Sequence, residues 1–174
     1  MQGFSTLSEH LDPERIIKLL NRYLELIVET IKEHGGTLDK YTGDGAMALF
    51  NTPLPQPDHA LRAVSAACCT HERLADFYRD FEPRMRLCIN FGIHTGHAVV
   101  GNVGTSAFMD FTAIGDTVNT AARIQTISHD NRILISQATY DQVRDRVIVR
   151  SLGPHQVKGR EEPVVIYEVL ERQT

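Results

Sequence analysis

The chain has 174 residues, of which 42% are hydrophobic and 23% charged, and its formal net charge is −4. That composition suits one compact domain with a sizeable core. A mildly acidic balance argues against broad nucleic-acid binding, which needs a basic face, but a few focused Lys and Arg residues can still hold a small anionic substrate. Cys68, Cys69 and Cys88 show no metal-type or CxxC spacing and read as reduced thiols of a cytosolic protein. No apolar run reaches the roughly 18 residues of a membrane span, and the residues after Met1 lack the basic and apolar regions of a secretory leader. A cytoplasmic domain without membrane contact is therefore expected.

Asp12-Pro13-Glu14 predicts a helix start, with Asp12 as N-cap and Pro13 in the first helical position. Ile16, Leu20, Tyr23, Ile27 and Ile31, with Ile17 and Leu24 beside them, mark its buried face, and Gly35-Gly36 ends it. Thr37 to Tyr41 and Ala46 to Phe50 read as strands joined by a Gly43-Asp44-Gly45 turn. A Pro-rich loop leads to a second long helix over about 58–80. Met85 to Ile93 reads as a strand, a further strand begins at Ala98, and another covers Phe108 to Ile114. Asp116 is expected to cap a helix running to Ile127. Ile133 to Ser136 reads as a strand, Gln137 to Val143 as a short helix, and Val147 to Gln156 with Val164 to Leu170 as a closing hairpin. Strands and helices interspersed around one core give an α/β or α+β class.

Lys40-Tyr41-Thr42-Gly43-Asp44 puts a cation and a carboxylate at a tight hairpin tip. Asp44 there can reach a hard cation such as Mg²⁺, or it can simply serve a turn that favours aspartate. From Phe111 to Arg123 a strand runs into a helix, as at many phosphate sites. Asn119 and Arg123 share a helical face, where an amide and a guanidinium can orient a ribose and neutralise a phosphate, or form an ordinary solvated face. Gly3-Phe4-Ser5 offers backbone N–H groups to an oxyanion, and Val157-Lys158-Gly159-Arg160 is a basic hairpin tip. His94 and His97 resemble a metal pair, but a turn separates them and no third ligand is evident.

In order along the chain, Gly3-Phe4-Ser5, Lys40 to Asp44, Gly92-Ile93-His94-Thr95-Gly96, Gly115 to Arg123 and Val157-Lys158-Gly159 resemble the class III adenylyl/guanylyl cyclase catalytic domain. The resemblance covers almost the whole chain. It implies a ferredoxin-like mixed sheet with helices packed on it, and a head-to-tail homodimer with sites at the interface. It also implies conversion of ATP to cyclic AMP by attack of the ribose 3′-hydroxyl on the α-phosphate, assisted by two Mg²⁺ or Mn²⁺ ions. By position, Asp44 matches a metal ligand, Asn119 the ribose-orienting residue and Arg123 the arginine that stabilises transition-state charge. Gly3, Phe4 and Lys158 match phosphate-binding positions, and Lys40 with Thr112 matches the purine-selecting pair. An ammonium only donates and a threonine hydroxyl can accept, which suits adenine's N1 and 6-amino group and mismatches guanine. The Lys/Thr combination is similar to a bacterial and bicarbonate-responsive branch. Bicarbonate sensitivity is a hypothesis from that resemblance alone.

The family pattern also has a first strand ending in a metal-binding Asp shortly before the Gly-Phe pair. Met1 falls just past that position, so the first strand is expected to be missing, with its neighbours' backbone groups left open. Only the Met1 carbonyl remains there for a metal, beside an α-amino charge that opposes one. Weak turnover is therefore expected from the chain as it stands, and an upstream sensor would lie outside it. The alternatives are a non-catalytic cyclase-like binding module, a diguanylate cyclase (whose Gly-Gly-Asp/Glu-Glu-Phe hairpin is not here) and a purely structural module.

Overall fold

The computed structural model describes residues 1–157 and 162–173. A one-turn helix, α1 (Phe4–Ser8), precedes the long α2 (Pro13–Glu33). At the start of α2 the Asp12 carboxylate accepts from the Glu14 N–H at 3.0 Å, a cap worth about 1 kcal/mol. The buried face of α2 begins at Leu19 and continues through Tyr23, Leu26, Ile27, Thr30 and Ile31. Ile17, expected beside that face, is 58% exposed, whereas Leu19 in the same stretch is buried.

The chain then forms the hairpin β1 (Thr37–Tyr41) and β2 (Ala46–Leu49), followed by α3 (His59–Phe77). Helices α2 and α3 meet at a buried hydroxyl pair, Thr30 Oγ1 to Thr70 Oγ1 at 2.6 Å. One hydroxyl donates to the other, which in turn donates to a carbonyl of its own helix, so neither is left unsatisfied in the core.

The central sheet contains β3 (Phe91–Ile93), β6 (Ile133–Ser136), β7 (Val147–His155) and β8 (Val164–Arg172), in the order β3-β6-β8-β7. It is mixed: β3 and β6 are parallel, and the other neighbours are antiparallel. A separate ribbon pairs β4 (Val99–Thr105) with β5 (Phe108–Ile114). Helices α4 (Asp116–Ile127) and α5 (Gln137–Val143) complete the order. The class is α+β as expected, but the strands form three hydrogen-bonded groups rather than one sheet.

The expected strand from Met85 to Ile93 is a strand only over Phe91–Ile93. Pro83 starts a 3-10 turn over Pro83–Met85, and the next residues bond side chains in place of a neighbouring strand. The Leu87 N–H donates to the Tyr23 hydroxyl at 2.7 Å, and the Ile89 N–H donates to Asn131 Oδ1 at 2.7 Å. The backbone groups expected to be open are thus satisfied at these positions, and Gln2 adds a single antiparallel bridge to Cys88. Tyr23 also donates to the Met85 carbonyl at 3.1 Å. Burial pushes its ionisation up to about 12, partly offset by the Leu87 hydrogen bond.

Helix α4 is capped by Gly115, not by the Asp116 side chain; Asp116 is its first helical residue. Gly115 turns the corner out of β5 at φ 134°, a conformation that side-chain-bearing residues rarely adopt. Its position over β3 is set by Gly92, where an added Cβ would lie 2.2 Å from the Gln125 backbone nitrogen and 2.6 Å from the Ala121 carbonyl oxygen. Backbone cannot yield as a flexible side chain does, so Gly92→Ala should destabilise the fold by about 3 kcal/mol. Urea unfolding checks this; a loss below about 0.5 kcal/mol would show that helix and strand are not seated so closely.

Candidate functional site

The two residues of the expected purine-selecting pair lie on different hairpins, and a third residue joins them. Lys40 is on β1 and Thr112 on β5, where Thr112 is buried. Between them sits Asp39, whose side chain is 1% exposed. Asp39 Oδ2 accepts from the Thr112 hydroxyl at 2.8 Å and lies 3.6 Å from the Lys40 ammonium. Asp39 Oδ1 accepts from the Ala113 N–H at 3.3 Å.

Asp39 was missed from sequence because strict alternation puts adjacent residues on opposite faces of a strand. The β1–β2 register shifts between Leu38 and Lys40, so Asp39 is the extra residue of a bulge. The available signal was an acidic residue beside Lys40 in a strand otherwise flanked by Leu38 and Tyr41.

Asp44 lies in the β1–β2 turn, which is closed by Thr42 N–H to the Gly45 carbonyl at 2.9 Å. Strand β1 ends at Tyr41, so Lys40 and Asp44 are not on one continuous strand face. The Asp44 carboxylate is ion-paired with the α-amino group of Met1. Gly3 is the N-cap of α1 and Phe4 its first residue, so the opening N–H groups of that turn have no partner within the helix. The Phe4 side chain packs with Met1 and Leu7 against the core.

Asn119 and Arg123 sit one turn apart on α4, Asn119 exposed and Arg123 half-buried. Among the described residues neither side chain is bonded to the Asp39 cluster. Lys158 lies outside the described residues. His94 Nδ1 pairs with Ser136 Oγ at 2.8 Å, and the His97 backbone carbonyl accepts from Thr117.

Asp44 has the hard oxygen that Mg²⁺ or Mn²⁺ prefers. Among the described residues, however, no three His, Cys, Asp or Glu side chains gather where they could hold an ion. One carboxylate does not by itself make a two-metal site, and no chemical step is derived through one.

Residues 1–170 match the adenylate and guanylate cyclase catalytic domain, and the chain belongs to that family. It is 38% identical to adenylate cyclase 1 of Rhizobium meliloti over 96% of its length and 34% identical to an adenylate cyclase of Anabaena cylindrica over 97%. It spans only 26% and 35% of those two relatives. The structure of the adenylyl cyclase CyaB from P. aeruginosa superposes with a TM-score of 0.91 at 37% identity, covering 97% of this chain and 89% of that one. The guanylyl cyclase Cya2 superposes with a TM-score of 0.90 at 35% identity, covering 99% and 88%. The nucleotidyl cyclase fold is therefore established, and such similar scores for two substrate classes leave the choice of base to individual side chains.

The turn carboxylate makes a direct prediction. Asp44→Asn should weaken Mn²⁺ binding several-fold in calorimetric titration, and an unchanged affinity would show that Asp44 is not a cation ligand.

Proposed function

We propose that this chain is an adenylyl cyclase domain that converts ATP to 3′,5′-cyclic AMP and pyrophosphate. The observation that carries the reading is the convergence of Lys40 and Thr112, from separate hairpins, on one carboxylate. A donor and an acceptor held side by side match adenine's N1 and 6-amino group, and guanine presents the reverse. A buried mismatch of that kind is costly, so the pair discriminates without touching the phosphates.

In the reaction the ribose 3′-oxygen forms a bond to the α-phosphorus, the bond to the bridging β-phosphate oxygen breaks, and the hydroxyl proton is lost. Asn119 orients the ribose, and Arg123 stabilises charge developing on the α-phosphate. Gly3 and Phe4 offer backbone N–H groups to the phosphates, and Lys158 adds a cation. Asp44 would supply one oxygen ligand to Mg²⁺ or Mn²⁺, a cation that would offset the negative charge of the triphosphate.

The active unit is a homodimer. Its support is the β4–β5 ribbon, which leaves Val99 68% and Phe108 72% exposed, with Met109, Phe111 and Ile114 also open to solvent. An apolar surface of that extent suits a second protein surface. No described helix is long and apolar enough to cross a membrane. We place the domain in the cytoplasm, where ATP is available, with any sensor in a segment outside this chain. One observation favours a second reading, a nucleotide-binding module without turnover: among the described residues Asp44 belongs to no group of three His, Cys, Asp or Glu side chains that could hold an ion.

Cyclic AMP and cyclic GMP formation from ATP and GTP, with Mn²⁺ and with Mg²⁺, decides between these. Cyclic AMP from ATP in excess is expected. Arg123→Ala should lower kcat about 100-fold with KM changed less than about threefold, the signature of an interaction made in the transition state. Predominant cyclic GMP would overturn the choice of base. Nucleotide binding without either product would establish the second reading.

A further inference from the structure

A threonine hydroxyl can donate or accept, so Thr112 by itself does not distinguish adenine from guanine. Whether it accepts from a 6-amino group or donates to a 6-oxo group depends on where its proton points. The surroundings of Asp39 decide this. Its side chain is almost fully buried, and Oδ2 takes the Thr112 proton at 2.8 Å. A carboxylate accepts and has no proton to return, so the outward lone pairs of Thr112 are all that a ligand meets. The same oxygen faces the Lys40 ammonium at 3.6 Å, which draws one N–H inward and leaves the others for a base.

We propose that Asp39 is a specificity-determining positioning residue: it fixes the hydroxyl of Thr112 as an acceptor and anchors Lys40 as a donor, so the pair matches adenine and rejects guanine. The inference rests on the adenylyl reading of Lys40 and Thr112. It deepens that reading by assigning the polarity of the pair to a residue that does not touch the base.

The geometry makes one substitution informative. Oδ1 of Asp39 accepts from the Ala113 N–H at 3.3 Å, so an Asn in its place must turn its carbonyl oxygen toward Ala113. Its NH₂ group then faces Thr112 and donates to it. The Thr112 proton is then released from Asp39, with only the Ala113 carbonyl at a long 3.4 Å to compete for it, and can turn to the ligand, where it suits the 6-oxo group of guanine. Asp39→Asn thus reverses the outward polarity of Thr112 while keeping the shape of the side chain. A residue that merely tied β1 to β5 would, on substitution, weaken both nucleotides alike.

The test is equilibrium binding of 3′-deoxy-ATP and 3′-deoxy-GTP to the full chain with Mn²⁺ present. Both lack the attacking hydroxyl, so affinity is read without turnover. The unsubstituted protein should favour 3′-deoxy-ATP by about tenfold or more, and Asp39→Asn should cut that ratio by about tenfold, through weaker ATP-analogue and tighter GTP-analogue binding. Circular dichroism and thermal melting establish that the variant is folded. If it is not, Asp39→Ala gives the same reading, because an unheld hydroxyl is free to donate, and the ratio should again fall. An unchanged ratio in a folded variant would overturn the role of Asp39 and leave the adenylyl reading standing. Equal affinity of the unsubstituted protein for both analogues would overturn that reading and this inference together.

Discussion

The seating of α4 on β3 is the contact on which the rest of the site depends. At Gly92 the two backbones approach so closely that no side chain fits between them. This holds α4 against the edge strand of the central sheet. Since α4 also carries Asn119 and Arg123, the relation of amide and guanidinium to the sheet is set by main chain, not by adaptable side-chain packing. Geometry established in this way is stiff, which the proposed positioning of a ribose and a phosphate would require.

The other half of the site is held differently. Hairpin β1–β2 and ribbon β4–β5 share no ladder with the central sheet or with each other. Asp39 bridges them, with one oxygen on the Ala113 backbone and the other on Thr112. A buried charge is costly unless it is well bonded, and both oxygens of Asp39 are. The bulge that turns Asp39 inward therefore ties together two hairpins that no backbone ladder joins.

Much of this was legible in the sequence. Asp12-Pro13 marked the start of α2, the Gly43-Asp44-Gly45 run marked the hairpin turn, and the apolar runs marked β5, β6 and β8 within a residue or two. What escaped reading depended on tertiary partners. The stretch after Met85 has the alternation of a strand, but the Tyr23 hydroxyl and the Asn131 amide take backbone groups that a neighbouring strand would pair. Asp116 has the chemistry of a cap, yet the corner out of β5 needed the conformation of Gly115. Ile17 fits the helical period but stands exposed. Of the proposed site, Lys40, Thr112, Asn119 and Arg123 are what the family resemblance implies. Asp39 was not legible, because a bulge shifts the strand period by one residue and leaves no periodic trace.

The apolar ribbon has a further consequence if it seats a second copy and each site draws on both. Output then follows the number of pairs, not the number of chains. In the dilute limit the number of pairs rises with the square of concentration, so halving the protein quarters the rate. A segment that gathers two copies would switch such a domain on without touching its chemistry, and one that holds them apart would silence it. In a messenger-producing enzyme, proximity would itself become the signal.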